Sequence, residues 1–591
     1  MTSEFSRVEA FAGLDEEGLA ALATASRLIA VGGGEYLVRE GEEADALYIV
    51  STGRFFVQLA NGLVVAEIGA GEPVGELAFF SGVPRTADVR AMRDSTVFAL
   101  TREAYDAIVA EHPDIEHAIL AAVAGRLARA TRHSAAMEAK AGKVIALIPA
   151  AGSAFPEGFV ESLAAAVARH GEARIVSPEE RPEGVDSESP GFGRWLGELE
   201  HGSDRLLLVA GEEEGWNRAI SRNADALVIA APLQGESRAL SPLEEYALPL
   251  FLRDDVHLVL WRPRRDDPIG GSLAWLADRE VKLHHHLGLD SESDFARVAR
   301  FLTGKAVGVV LAGGGALGCA HIGVMQGLIE SGVPIDFYGG TSAGAAMGGA
   351  LARGLSPDET IDQMEAMFIL AKAMKKITLP IHSILDPRVF DRELEKRYGT
   401  QDIADLPYNF FGVSTNLSTN SVYVHRRGPL WQAVRASGSL PTILPPLISD
   451  EGDVLVDGGV LDNIPTGVMR QCKAGPNIVV TLRGEEEEWR VTAKYGGLRT
   501  PFQLVRDVVL RRKARNDFPG IVEVMSRSMV VTSAAAVRAN LSQADVLLNP
   551  PIHQGMRILD WHLGKSLSEQ AREYTVARVE EDPALAALKA E

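Results

Sequence analysis

Gly340-Thr341-Ser342-Ala343-Gly344 reads G-x-S-x-G. It follows the apolar run Gly332-Val333-Pro334-Ile335-Asp336-Phe337-Tyr338 and precedes the small-residue run Ala345-Ala346-Met347-Gly348-Gly349-Ala350. This is the layout of a strand, a sharp turn presenting a serine, and a helix whose first amide dipoles point at that serine. Gly340 and Gly344 keep side chains out of a turn that has no room for them. Taken alone the pentapeptide reads equally well as an ordinary turn, so its weight depends on what surrounds it.

Two further segments give it that weight. Upstream, the apolar strand Val307-Gly308-Val309-Val310-Leu311-Ala312 runs into Gly313-Gly314-Gly315-Ala316-Leu317-Gly318, a turn able to aim several backbone N–H groups at one point and so to hold an oxyanion. Downstream, Val454-Leu455-Val456-Asp457-Gly458-Gly459 sets a carboxylate at the end of another short apolar strand, followed by Asp462-Asn463-Ile464-Pro465. An acid there can act as the base for a serine on a neighbouring strand. The competing reading takes Gly313-x-Gly315-x-x-Gly318 as a dinucleotide loop, with Asp336 as its ribose contact. That reading leaves Ser342 and Asp457 without a role, whereas a single acyl-transfer site uses all three motifs.

Together the three motifs resemble the patatin-like phospholipases, over residues 305–565. The resemblance implies an α/β/α hydrolase domain with a Ser-Asp dyad and no catalytic cofactor. Ser342 attacks an ester carbonyl, Asp457 takes its proton, and amides of the turn containing Gly313, Gly314, Gly315 and Gly318 hold the oxyanion. The family usually carries arginine where this chain has Leu317, so a guanidinium contribution to the turn is missing. For His321, His553 and His562 a surface or hydrogen-bonded core role is expected, although a Ser-His-Asp triad would place an imidazole after the acid. His284-His285-His286 lacks acidic or cysteine partners at ligand spacing, and no metal is expected.

The first stretch of the chain is of another kind. Short apolar segments at 35–38, 46–50, 55–59 and 64–68, separated by turn residues, predict an antiparallel β-roll. Within it, Pro73-Val74-Gly75-Glu76-Leu77-Ala78-Phe79-Phe80-Ser81-Gly82-Val83-Pro84-Arg85-Thr86-Ala87 resembles the phosphate-binding cassette of cyclic nucleotide-binding domains. A helix opening near Gly75 offers amides to a phosphate, Arg85 can bind the cyclic phosphate bidentately, and Glu76 can accept from the ribose hydroxyl. By resemblance Thr86 contacts base or phosphate, and both cAMP and cGMP remain open as effectors. Apolar spacing of three and four from Thr101 to Met137 predicts helices; the resemblance to cyclic nucleotide-binding domains implies that they carry a signal or form a homodimer contact, and a linker is the alternative.

Between the two lies a segment of alternating apolar strands and helices, with strands at 143–149, 205–210, 226–230 and 257–261, which predicts a parallel α/β layer. It contains no catalytic constellation, and Glu212-Glu213-Glu214 and Arg262-Pro263-Arg264-Arg265 read as solvated loops. The order of the three parts is similar to that of the neuropathy target esterase family of lysophospholipases. The expected domains are 1–135, 136–304 and 305–591, giving a multidomain chain of β-roll, parallel-sheet region and patatin-like domain.

A formal charge of −21 argues against a nucleic-acid partner and against broad attraction to anionic lipid. Two cysteines, Cys319 and Cys472, give no disulfide framework. Glu4, Arg7 and Glu9 interrupt the apolar start, no run is long enough to span a bilayer, and a cytoplasmic chain is expected. Local cationic patches are Arg511-Arg512-Lys513-Ala514-Arg515 and Lys372, Lys375 and Lys376, the latter inside Met364–Ile381. That stretch is read either as an amphipathic lid or peripheral membrane contact, or as an ordinary core helix. The expected function is hydrolysis of lysophospholipid or phospholipid acyl esters under cyclic nucleotide control. The alternative is a nucleotide receptor whose hydrolase-like part is catalytically silent.

Overall fold

A computed structural model describes residues 14–59, 64–120 without 117, 143–482 without 188, and 520–589, with positions 491, 500 and 502 between. The basic run at 511–515 and the predicted helix beyond 120 lie outside the described residues. The chain divides into two compact units, Met1–Lys305 and Ala306–Glu591.

The first unit opens with two four-stranded antiparallel sheets. One orders Arg27–Val31, Ser95–Thr101, Ala46–Thr52 and Pro73–Val74; the other orders Tyr36–Val38, Asp88–Ala91, Arg54–Gln58 and Val64–Gly69. Val50, Phe55, Val74 and Val97 close the space between them. The six-stranded parallel sheet follows, in the order Ala173–Val176, Arg205–Val209, Val144–Pro149, Ala226–Pro232, Val256–Arg262, Leu283–Gly288. Its inner strands are buried on both faces and therefore apolar throughout.

One reading of this sheet needs correction. Arg262 is not in a solvated loop: it ends a strand, is buried, and donates through Nη2 to the Arg265 carbonyl at 2.6 Å. The histidine run forms a strand, where His285 meets His257 ring to ring at 3.1 Å between nitrogens. Burial drives His257 down to about 3, so this pair packs as neutral rings. Among the described residues no group of three or more His, Cys, Asp or Glu is arranged to hold a metal ion.

A buried charge cluster joins the β-roll to the parallel sheet. Arg93, at the turn before the strand Ser95–Thr101, donates to Glu200 at 2.9 Å and to the Asn223 carbonyl at 3.2 Å, and lies 3.4 Å from Asp225. Asp225 Oδ2 accepts from the amides of Lys143 and Val144. Burial alone would raise the Asp225 carboxyl, but Arg93 and Arg54 outweigh it and hold it below its ordinary value.

The second unit is built on one mixed sheet ordered Leu447–Ile448, Val454–Asp457, Asn409–Asn416, Phe337–Thr341, Gly308–Leu311, Asn477–Val480, Val546–Leu548, with Ser421–His425 also paired to Asn409–Asn416. The strands from Asn409–Asn416 to Val546–Leu548 run parallel; Val454–Asp457 runs antiparallel to its neighbour. Helix Cys319–Glu330 packs on helix Gly564–Glu581 at backbone distance. A Cβ on Gly323 would run into the Ser568 carbonyl, and one on Gly327 would come within 2.9 Å of the Arg572 carbonyl. No helix among the described residues is long and apolar enough to cross a membrane.

Candidate active site

Sheet register brings the three motifs to one line. Leu311 pairs with Gly340, Thr341 with Val413, and Ser414 with Asp457. Continued past the last paired residues, this register sets Gly313, Ser342, Ser414 and Asp457 in one transverse row at the sheet's end. Antiparallel entry of Val454–Asp457 is what lets an acid more than a hundred residues away reach the row of the serine.

Ser342 has φ 54° and ψ −116° and stands immediately before helix Ala343–Ala352. A positive φ at a non-glycine residue is strained and needs its surroundings to hold it. Those surroundings are glycine on both sides. A Cβ on Gly340 would lie 2.6 Å from the Gly344 backbone, and one on Gly344 would run into the Leu311 carbonyl. The Ser342 N–H donates to Ser437 Oγ at 2.7 Å, and Ser437 Oγ in turn donates to the Val413 carbonyl at 2.5 Å. That amide is therefore committed to the scaffold.

The glycine turn lies against the serine: a Cβ on Gly313 would sit 3.2 Å from Ser342 Cβ and 2.5 Å from Asn463 Oδ1. Gly315 has φ +59°, and a Cβ there would strike the Ile558 carbonyl. The amides of Gly313 and Ala316 donate to Asn463 and Ile558, whereas those of Gly314 and Gly315 donate to no acceptor among the described residues. Leu317 is buried in the core and its N–H donates to the Gly314 carbonyl at 3.3 Å. Backbone bonds and apolar packing hold the turn where a guanidinium is missing. Gly318 lies against Ala343, 2.7 Å from where its Cβ would be.

Asp457 is buried, with Oδ1 accepting from the Gly459 N–H at 2.8 Å. Burial pushes its carboxyl up to about 6, while the Ser342 hydroxyl and the Gly459 amide pull it back. Oδ2 is buried without a bond of ordinary geometry, so the contact from Ser342 is a loose one. The Asp457 N–H donates to the Ser439 carbonyl at 2.9 Å. Segment 435–439 thus grips both groups, through the Ser437 hydroxyl and the Ser439 carbonyl, and is itself pinned by Arg435, which bonds Asp391 and Ser439. Asp462 and Asn463 complete the frame: the Asp462 carbonyl accepts from Thr341 Oγ1 at 2.9 Å, and the Asn463 carbonyl accepts from Gly313 N–H at 3.3 Å.

No histidine among the described residues bonds to Ser342 or Asp457. His321 lies on helix Cys319–Glu330 and donates through Nε2 to the Ala312 carbonyl at 2.7 Å. Burial lowers it to about 4. His425 bonds Ser414 at 2.8 Å, His553 bonds Ser566 at 3.0 Å, and His562 borders a shallow cavity with Cys319 and Trp561. Burial raises the Cys319 thiol to about 12, as suits a packing residue.

In the first unit, helix Glu76–Ser81 begins after Gly75, whose φ is 76°. Arg85 and Glu76 are buried and Thr86 is exposed. The Arg85 guanidinium donates to the carbonyls of Gly75 at 3.0 Å and Ala46 at 2.6 Å, and its Nη2 lies 3.8 Å from Asp45. Its Nε is buried with no hydrogen-bond partner among the described residues. Arg85 and the opening of the helix therefore form one local cluster.

Comparison with known proteins gives two domain matches: a patatin-like phospholipase domain at residues 309–470 and a cyclic nucleotide-binding domain at residues 29–112. An uncharacterized NTE family protein of Mycobacterium tuberculosis is 31% identical over 558 residues, covering 92% of this chain and 91% of the relative. The chain belongs to the NTE family. Like it, the lysophospholipase NTE1 of Mycosarcoma maydis is similar, at 29% identity over 74% of this chain and 28% of its own length. Patatin-like phospholipase domain-containing protein 7 of Mus musculus is 28% identical over 77% of this chain and 38% of its own length. This NTE family chain is a patatin-like hydrolase joined to a cyclic nucleotide-binding domain. Asp462 and Asn463 stand in the acid motif without an assigned role, and Ser437 and Ser439 lie outside the three motifs. Nothing local in the sequence singles them out: Ser437 is the last residue of helix Leu430–Ser437, and Asp462 and Asn463 follow the 3-10 turn Gly458–Val460.

Proposed function

We propose that this protein is a serine esterase that hydrolyses acyl esters of lysophospholipids or phospholipids at Ser342 and Asp457, under control of a cyclic nucleotide bound at Gly75, Glu76, Arg85 and Thr86. The observation that carries the reading is the single row of Gly313, Ser342 and Asp457, with two undonated amides beside the serine. Ser342 Oγ attacks the acyl carbonyl as its proton passes to the Asp457 carboxylate, and the N–H groups of Gly314 and Gly315 stabilise the oxyanion. Collapse releases the alcohol, which takes the proton back. Water, deprotonated by Asp457, then frees the fatty acid from the acyl-serine. A carboxyl near 6 suits this traffic, because it is ionised at neutral pH and still basic enough to accept a proton. The substrate class follows from the lipid-hydrolase relatives, and such substrates call for a peripheral contact with membrane.

Fatty-acid release from lysophosphatidylcholine and lysophosphatidylethanolamine is the deciding assay, with wild type and Ser342→Ala, each with and without cAMP or cGMP. Release lost by on the order of 10⁴-fold in Ser342→Ala is expected. Equal release by both proteins would remove the dyad. No release, with no fluorophosphonate labelling of Ser342, would leave a nucleotide receptor with a silent hydrolase-like unit. Nucleotide response absent in wild type and unchanged in Arg85→Ala would leave the N-terminal domain as a scaffold.

A further inference from the structure

Residues 376–386 form a small hairpin whose tip stands in solvent. Ile377 bridges Leu385, Thr378 N–H donates to the Ile384 carbonyl at 3.0 Å, and Asp386 N–H donates to the Lys376 carbonyl at 2.8 Å. The base is secured twice. Asp386 takes ion pairs from Arg388 at 2.6 Å and Lys376 at 3.2 Å, and Leu385 is buried in the unit's core. Of the two readings of Met364–Ile381, the ordinary core helix is therefore corrected. α-Helix ends at Glu365, a π-helical turn covers Ala366–Leu370, and the chain leaves helix at Lys372, where φ is 54°.

What the hairpin displays is apolar. Ile377, Leu379 and Ile381 are 74%, 78% and 77% exposed, and Leu370 beside them is 74% exposed. Isolated exposed aliphatics are ordinary, but four at this degree of exposure within twelve residues are not. The flanking charge is cationic, since residues 372–388 hold Lys372, Lys375, Lys376 and Arg388 against Asp386 alone, in a chain of net charge −21. Lys372 and Lys375 make no ion pair among the described residues. Tyrosine and tryptophan, which mark protein interfaces, are missing from the tip, where Thr378 and His382 are the exposed polar side chains among the aliphatic ones. Aliphatic side chains ringed by lysine suit a solvent that is apolar inside and anionic at its surface.

We propose that this hairpin is a lipid-inserting finger: Ile377, Leu379 and Ile381 enter a phospholipid bilayer while Lys372 and Lys375 meet its headgroup phosphates. The inference rests on the lipid-esterase reading for its purpose, and on exposure and charge for its location. The finger's base also touches the frame of the candidate site. Ile384 N–H donates to the Thr442 carbonyl at 2.7 Å and Leu385 N–H to the Ile443 carbonyl at 3.0 Å. That strand of chain continues from segment 435–439, which holds Ser342 and Asp457. Docking by the finger thus seats the site's own scaffold on the surface from which substrate is drawn.

The test uses the full chain and its Ile377→Ser/Leu379→Ser/Ile381→Ser variant, in co-sedimentation with phosphatidylcholine–phosphatidylglycerol vesicles. All three side chains are exposed, so the variant should fold, as circular dichroism will show. Partition onto vesicles should fall at least about tenfold, because each aliphatic side chain withdrawn from lipid weakens binding several-fold. The ratio of vesicle-lipid to p-nitrophenyl butyrate hydrolysis should fall with it. Lys372→Glu/Lys375→Glu should lose affinity for these anionic vesicles more than for pure phosphatidylcholine. Wild type that ignores vesicles, a triple variant that partitions as well as wild type, or a dimer-to-monomer change without lipid would each overturn the proposal. If no ester of any kind is hydrolysed, the esterase reading fails and the partition measurement still decides the finger.

Discussion

Replacing Asp457 by asparagine isolates what burial does to the carboxyl group. Burial raises it from 3.8 to about 6, against the opposing Ser342 hydroxyl and Gly459 amide. Because the folded value lies above the unfolded one, its contribution to stability is complete below about pH 4 and is lost as pH rises through about 6. Above that, the charged form costs the folded unit about 3 kcal/mol, from a shift of about two units at about 1.4 kcal/mol each. Asparagine cannot ionise and escapes this cost. Its Oδ1 can keep the bond from Gly459, but its Nδ2 replaces a buried oxygen without a partner, and an unsatisfied donor costs about 1–3 kcal/mol at any pH. That second cost cancels when two pH values are compared. From about pH 4.5 to about pH 8, Asp457→Asn should gain about 2 kcal/mol on wild type. In calorimetry of the full chain, this would move the second unit's transition by about 3 °C relative to wild type. Hydrolysis by wild type should rise with pH to a plateau with its midpoint near 6, and the variant should be inactive throughout. A melting difference that is the same at both pH values would refute the reasoning, since it would mean that the carboxyl is not held in a raised, buried state.

Ser437→Ala leaves the Ser342 amide and the Val413 carbonyl unpaired, so kcat should fall about 10–100-fold with KM nearly unchanged, and Ser437→Thr should restore most of it; a change in KM alone would count against a positioning role. Gly315→Ala puts a Cβ into the Ile558 carbonyl at a positive φ, so both hydrolysis and fluorophosphonate labelling should drop on the order of 10²-fold. Full labelling would mean the turn has no part in the oxyanion site. Arg93→Ala strands Asp225 and should destabilise the first unit by about 3–5 kcal/mol in thermal melting; no measurable shift would show the cluster to be solvated.

Much of this protein is legible along the chain, because the signals are local. Continuous apolar runs in 144–149 and 226–230 report strands buried on both faces. Gly340 and Gly344 report a turn without space for side chains, and Ser342 between them reports its apex. The runs that misled did so because burial is not a local property. Arg262 reads as solvated until the Arg265 carbonyl closes on it. The core-helix reading of Met364–Ile381 holds only until the backbone turns left-handed at Lys372.

Local sequence alone determined the kinds of groups available: a serine in a tight elbow, a glycine turn with spare amides, an acid at a strand end, and an arginine near a short helix. Only the tertiary structure decided that Leu311 pairs with Gly340 and Ser414 with Asp457, which sets serine, acid and turn in one row. It also decided that Ser437 holds the serine's amide and that the Asp457 carboxyl rises, since hydrogen bonds between distant segments and removal of water exist only once the sheet is assembled.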